Sequence, residues 1–210
     1  MVASVSAGGL DDLLARIRDC RRCIDQPDGA PLGHEPRPVL RASPGARICI
    51  CGQAPGTLVH GSGRPFTDPS GVRLRDWMGV SEDEFYDQSR IAIIPMGFCF
   101  PGHDAKGGDL APRKECAPLW RAPLFQALTK LELVLLVGQY AQRWHLGRDR
   151  ERSMTATVAN WRAYLETEDG PAQLPLPHPS WRNNAWLKRN SWFERDVLPR
   201  LKREVRRLLG

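Results

Sequence analysis

The segment Ile48-Cys49-Ile50-Cys51-Gly52-Gln53-Ala54-Pro55-Gly56 decides the fold, because an apolar run passes directly into a glycine-rich loop. The apolar run predicts a short buried strand, and a loop of this kind at a strand end places backbone N–H groups over a pocket. Two later segments share its character: residues 63–71, Gly-Arg-Pro-Phe-Thr-Asp-Pro-Ser-Gly, and residues 178–183, His-Pro-Ser-Trp-Arg-Asn. The second of these also follows an apolar run, and we expect it to close the same pocket.

Three further apolar runs, at residues 91–94, 133–137 and 174–177, predict three more strands. Segments with helical spacing of apolar residues lie around them, at residues 11–18, 70–78, 120–129 and 159–166. Strands that alternate with helices indicate a parallel sheet. We therefore predict an α/β fold, a three-layer α/β/α sandwich with a central four-stranded, mostly parallel sheet. Pro175 and Pro177 place the last strand at an edge or a strand end. We expect one domain over residues 1–210, with residues 1–10 flexible.

Composition limits the classes of protein that fit the sequence. The chain has 41% hydrophobic and 26% charged residues, which is ordinary for a globular domain. No apolar stretch approaches the roughly 20 residues of a membrane span, and no secretory signal is visible. We therefore expect a cytoplasmic protein, in a bacterial-type cytosol or nucleoid, without a membrane partner. The formal net charge of +6 favours a polyanionic partner.

The six cysteines fall into two groups. Cys20 and Cys23 form a C-x-x-C pair, and Cys99 and Cys116 flank a polar, glycine-rich loop. Four thiolates can hold a [4Fe–4S] cluster or a tetrahedral zinc ion, although four unrelated thiols are the simpler interpretation. The other two cysteines, at positions 49 and 51, share one face of the first strand and are expected to pack in the core.

Taken together, these segments resemble the uracil-DNA glycosylase superfamily. The four-cysteine pattern is similar to that of its iron–sulfur branch, families 4 and 5, and the resemblance implies a [4Fe–4S] cluster, with zinc as the alternative. The late His-Pro-Ser-x-Arg-Asn loop resembles that of the single-strand-selective monofunctional glycosylases. The resemblance covers roughly residues 11–205.

The resemblance implies catalytic roles for Gln53, Asp68 and His178. Gln53 would position water, although a turn role in a Gly-Pro loop is the alternative. Asp68 would orient water and stabilise a cationic sugar, but Asp followed by Pro before a helix is also a good N-cap. His178 would donate a hydrogen bond to the departing base; a histidine of a surface loop is the alternative.

The resemblance also implies contacts with DNA. The base would be bound by Ala54, Phe66, Met96 and Gly97, with the Phe66 ring stacked on it unless that ring is a core residue. Ser180, Trp181, Arg182 and Asn183 would form a loop that inserts into the duplex. One departure is clear: related iron–sulfur enzymes place an Asn just before the third cysteine, whereas this chain has Pro-Met-Gly-Phe there.

These features predict a monofunctional DNA glycosylase that hydrolyses the N-glycosidic bond of uracil or another deaminated base, and that acts as a monomer on damaged DNA. The alternative is a non-catalytic iron–sulfur protein that binds DNA or lesions on the same scaffold. The missing Asn and the Gln of the first loop favour that alternative.

Overall fold

The computed structural model describes residues 9–167 and 170–210, so the predicted flexibility of the N-terminus lies mostly outside the described residues. Four strands form one sheet in the order β2-β1-β3-β4, and all three neighbouring pairs are parallel. Their bounds are β1 Ile48–Cys51, β2 Ile91–Ile93, β3 Leu133–Val137 and β4 Ala172–Leu176. The predicted sheet is confirmed. Pro175 is explained because β4 pairs only with β3, at the edge of the sheet, and Pro177 lies just beyond the end of the strand.

Helices cover both faces of the sheet. They are α1 Leu10–Arg18, α2 Arg22–Asp25, α3 Thr57–Ser62, α4 Pro69–Met78, α5 Glu82–Tyr86, α6 Cys116–Ala127, α7 Gln139–Leu146, α8 Met154–Ala159, α9 Trp161–Leu165, α10 Asn184–Arg189 and α11 Leu198–Leu209. The helix predicted at 120–129 begins four residues earlier, at Cys116, and the one predicted at 159–166 is the shorter α9, which α8 precedes. None of the helices in the described ranges is long and apolar enough to cross a membrane.

Alternating residues of each strand face two separate cores. Ile48 and Ile50 of β1 point into a core with α4, α5, α8, α9 and α11. Cys49 and Cys51 point into a second core with α1, α6 and α7. Because successive strand residues point to opposite faces, a run that is apolar at every position needs a layer on each side. The predicted three-layer sandwich is therefore confirmed, and so is the burial of Cys49 and Cys51.

The basic C-terminal helix lies at the edge of the sheet where the strands begin. Arg47, just before β1, donates to the Leu208 carbonyl, and Arg207 pairs with Glu132, just before β3. Arg206 pairs with Glu84 of α5. These cations are neutralised by the protein itself, and the strands' carboxyl ends lie at the opposite edge.

Candidate active site

The three segments singled out in the sequence meet at the carboxyl ends of the strands. They line a cavity, here called the strand-end cavity, with walls that include Gly52, Gln53, Ala54, Phe66, Asp68, Ile93, Pro95 and His178. The strand-end cavity opens into a larger groove of about 1570 Å³, here called the groove. Gln53, Ala54, Asp68 and His178 line both spaces. The strand ends therefore bring together the first loop, the Phe66–Asp68 segment and the late His-Pro-Ser loop.

Phe66 is held in a strained backbone conformation. Its φ angle is +54°, in the left-handed region that a bulky residue rarely adopts. The Tyr86 hydroxyl donates to the carbonyls of Pro65 and Phe66, at 2.8 and 3.1 Å. The Phe66 ring lies against Gly52 and packs edge-on against Phe85, with 6.0 Å between ring centroids. Strain of this kind persists only where the surroundings hold it, and it is concentrated at functional sites.

Asp68 is the N-cap of α4. Its Oδ1 accepts from the backbone N–H of Gly71 at 3.2 Å, and Pro69 occupies the first turn of the helix. The capping interpretation is therefore confirmed. The same carboxylate lines both the strand-end cavity and the groove, and its Oδ2 has no hydrogen-bond partner among the described residues. The cap uses one oxygen and leaves the other for a ligand.

His178 is poised as a neutral hydrogen-bond donor. Its Nδ1 accepts from the Ser180 N–H at 3.2 Å, so a neutral ring carries its proton on Nε2. Burial lowers the pKa of His178, and the nearby carboxylates of Asp68 and Asp109 oppose this effect by raising the pKa. The net shift is downward, which keeps the imidazole neutral near pH 7.

Hydrogen bonds fix the late loop, residues 178–183, below its exposed tip. The Asn183 amide donates to the His178 carbonyl at 2.7 Å, and Arg73 of α4 donates to the Ser180 carbonyl at 3.3 Å. Above these contacts the Trp181 side chain is 73% exposed, with the Arg182 guanidinium 5.8 Å from its ring centroid. All four predicted DNA-contacting residues, 180–183, line the groove.

A comparison with protein families identifies the fold. The family model of the Uracil DNA glycosylase superfamily matches residues 41–202, most of the chain. This chain belongs to the uracil DNA glycosylase superfamily. Membership supports a DNA glycosylase-type function with DNA as the partner, and the superfamily generally hydrolyses N-glycosidic bonds in DNA. The match begins after Cys20 and Cys23, so membership of the iron–sulfur branch stays a prediction.

In this member of the superfamily, a second carboxylate that the sequence did not single out faces His178. Asp109 lies on the loop between β2 and α6 and lines the groove. Its Oδ1 is 3.3 Å from His103 Nδ1, and His103 Nε2 is 2.9 Å from the Thr57 hydroxyl. Only the folded loop brings this residue to the site, so nothing in its local sequence distinguishes it.

Gln53 anchors that same loop. Its side-chain amide donates to the Leu110 carbonyl at 3.3 Å, next to Asp109. This contact explains a glutamine in the first loop of this glycosylase-superfamily member without requiring that it activate water. Tyr140, just after β3, also lines the groove and was missed; its position beyond a strand's carboxyl end is the signal that points to it.

Met96 and Gly97 are not placed with the other predicted base-binding residues. The Met96 side chain is buried in the core shared with α1 and α6. Neither residue lines the strand-end cavity or the groove, as these are formed by the described residues. Their backbone N–H groups donate to the Gly52 and Gln53 carbonyls, at 2.9 and 3.0 Å. They hold the first loop in place from behind.

The four predicted ligand cysteines share one pocket, here called the cysteine pocket. Cys20, Cys23, Cys99 and Cys116 line a space of about 400 Å³ whose other walls include Pro36, Pro38, Phe98, Leu119 and Trp120. All six cysteines are free. The Phe98 N–H donates to the Cys116 sulfur at 3.4 Å, which is the kind of contact that tunes a thiolate ligand.

Two thiols of the cysteine pocket are hard to ionise without a bound cation. Burial raises the pKa of both Cys99 and Cys116 to about 12, so ionisation there needs a bound cation to compensate it. No set of three or more His, Cys, Asp or Glu side chains within the described ranges is arranged to hold one metal ion. The four thiols share one pocket, and the [4Fe–4S] cluster stays a prediction.

Proposed function

We propose that this protein is a monofunctional DNA glycosylase that excises uracil or another deaminated base. The observation that carries the proposal is that a partly buried, neutral His178 and the Asp68 carboxylate line one cavity, and that Asp109 supplies a second carboxylate in the groove onto which the cavity opens. Base excision requires an extruded nucleotide in such a pocket, and the groove with its exposed Trp181 supplies the surface beside it.

In the proposed reaction, the bond between C1′ and the base nitrogen breaks, and its electron pair leaves with the base. The Nε2–H of His178 stabilises the negative charge that develops on a base carbonyl oxygen. Asp68, through its unpartnered Oδ2, stabilises the cationic sugar and orients the water that attacks C1′. The proton that this water loses passes to the Asp68 carboxylate and ends on the departed base, so the products are the neutral base and the abasic sugar. No lysine is among the residues that line the two spaces in the described structure, which favours hydrolysis over lyase chemistry.

The test is excision from oligonucleotides that carry uracil, hypoxanthine or xanthine, with an undamaged control. We expect alkali-sensitive cleavage at one lesion, without strand cleavage before alkali. Binding to lesion DNA without cleavage of any substrate would instead support a non-catalytic lesion-binding protein. The use of Asp68 as a cap and the absence of a base-reading amide before Cys99 favour that second candidate.

We also propose that Cys20, Cys23, Cys99 and Cys116 hold a [4Fe–4S] cluster. A bound cluster would join α1 and α2 to the loop after β2, and this is a structural role. Protein purified without oxygen should contain iron and sulfide, and both should be lost in Cys116→Ser but kept in the control Cys49→Ala, which changes a core cysteine. One zinc per chain would support the zinc alternative, and metal-free folded protein would refute both.

A further inference from the structure

Behind the strand-end cavity, α6 buries an arginine that has no carboxylate partner. Arg121 is 1% exposed. Its Nη1 donates to the carbonyls of Ile94 and Pro95, at 3.1 and 3.0 Å. Arg121 takes part in none of the ion pairs with carboxylates between described residues. A buried guanidinium without a counter-ion is costly, so the surroundings must supply negative charge.

The remaining contacts of Arg121 identify the source of that charge. Its Nη2 lies 3.0 Å from the Cys51 sulfur and 2.5 Å from His145 Nε2. A guanidinium only donates hydrogen bonds, so in this contact Nε2 of His145 is the acceptor. The Cys49 sulfur is 3.7 Å from that of Cys51. Cys51 is therefore the one contact of Arg121 that can become an anion.

The electrostatics of the two cysteines are opposite. Burial works against ionisation at Cys51, but the hydrogen bond from Cys49, the charge of Arg121 and the neighbouring His145 together hold the pKa of Cys51 well below its usual range. Burial and the neighbouring Cys51 hold the pKa of Cys49 well above it. These directions favour Cys49 as the donor and Cys51 as the acceptor of the contact between the two sulfurs.

We propose that Cys51 is a buried thiolate that neutralises Arg121, and that this ion pair positions the backbone of Ile94 and Pro95, of which Pro95 forms part of the wall of the strand-end cavity. Pro95 lines that cavity, and the next two residues donate to the carbonyls of Gly52 and Gln53. The segment is thus bound to Arg121 on one side and to the first loop on the other. Its role in base binding rests on the proposed glycosylase function; the charge state of Cys51 does not.

The charge state is tested by the S–H stretching band in infrared or Raman spectra of the full chain. Cys49→Ala should remove one S–H band, whereas Cys51→Ala should remove none and only shift the Cys49 band. Arg121→Met should add a band, because Cys51 then binds a proton. Loss of a separate S–H band in Cys51→Ala would overturn the proposal. Because these spectra compare variants, they are independent of any metal in the cysteine pocket.

The positioning role is tested with an isosteric pair, Cys51→Asp and Cys51→Asn, which differ only in charge. We expect Cys51→Asn to slow single-turnover excision by about 10²-fold, the size of effect that a misplacement of about 1 Å produces. Its affinity for undamaged DNA should be kept, and Cys51→Asp should recover most of the rate. Equal rates in the two variants would refute positioning by charge. If the wild type excises no base, the proposed function is refuted, and the spectra still show whether Cys51 is a thiolate.

Discussion

Replacement of Asp68 by asparagine separates the two roles that the structure gives this side chain. As the N-cap of α4, Asp68 uses Oδ1 to accept from the Gly71 N–H. Asparagine caps helices about as well as aspartate, so Asp68→Asn should leave the free energy of unfolding nearly unchanged. Asp68→Ala removes the cap as well, and should cost about 1 kcal/mol of stability.

The effect of Asp68→Asn on catalysis should be much larger. The substitution removes the negative charge that borders the strand-end cavity, while the fold is retained. Groups that act on a proton or a developing charge typically contribute 10²-fold or more. We therefore expect excision to slow by about 10²-fold, which is about 2.7 kcal/mol of transition-state stabilisation.

The assay is single-turnover excision with enzyme in excess, beside urea unfolding of each variant. Asp109→Asn is the matched control, since Asp109 also faces His178 but caps no helix. If Asp68→Asn keeps the wild-type rate while Asp109→Asn loses it, Asp109 is the acting carboxylate. If both variants keep the wild-type rate, the reasoning about carboxylates is refuted.

Three further predictions follow from the site. The free energy of unfolding should fall as pH drops below about 6.5, because the unfolded chain protonates a histidine whose pKa is lowered in the fold. His178→Gln should reduce that slope, and an unchanged slope would contradict a neutral, partly buried His178. Gly71→Ala should lower the free energy of unfolding, measured in urea, by about 1–3 kcal/mol, because the new Cβ would lie 1.8 Å from the Phe66 carbonyl oxygen. Gly61→Ala is the control, since its Cβ would meet nothing within 4 Å, and it should show no such loss of stability. Trp181→Ala should weaken binding or excision on duplex DNA by about 1–3 kcal/mol, the usual contribution of a stacking aromatic side chain. Equal affinities of the variant and the wild type for DNA in a titration would show that the exposed ring does not contact DNA.

Much of the fold could be predicted from local patterns. An apolar run such as residues 48–51 can be satisfied only by a strand covered on both faces, and this requires helices on each side of the sheet. The edge position of β4 followed from its prolines, which lack the N–H of a central strand. Helix bounds were less well determined, because the start of α6 at Cys116 depends on packing rather than on periodicity.

The site was predicted only where its residues lie in motifs next to strand ends. Gln53, Phe66, Asp68 and His178 lie around one cavity, as a parallel sheet requires. Met96 was expected to contact the extruded DNA base, but its side chain is buried in the core formed with α1, α6 and α7. The direction of a side chain after a strand depends on how the chain leaves the sheet.

The sequence by itself determined the alternation of strands and helices, the edge at which the loops gather and the residue types available there. Those are consequences of hydrophobic burial and backbone geometry, which act over a few neighbouring residues. Only the tertiary structure decided that Asp109 joins Asp68 beside His178, and that Arg121 has a cysteine for its neighbour. Charge interactions depend on distance in space, and residues 51 and 121 become neighbours only when α6 packs on the sheet.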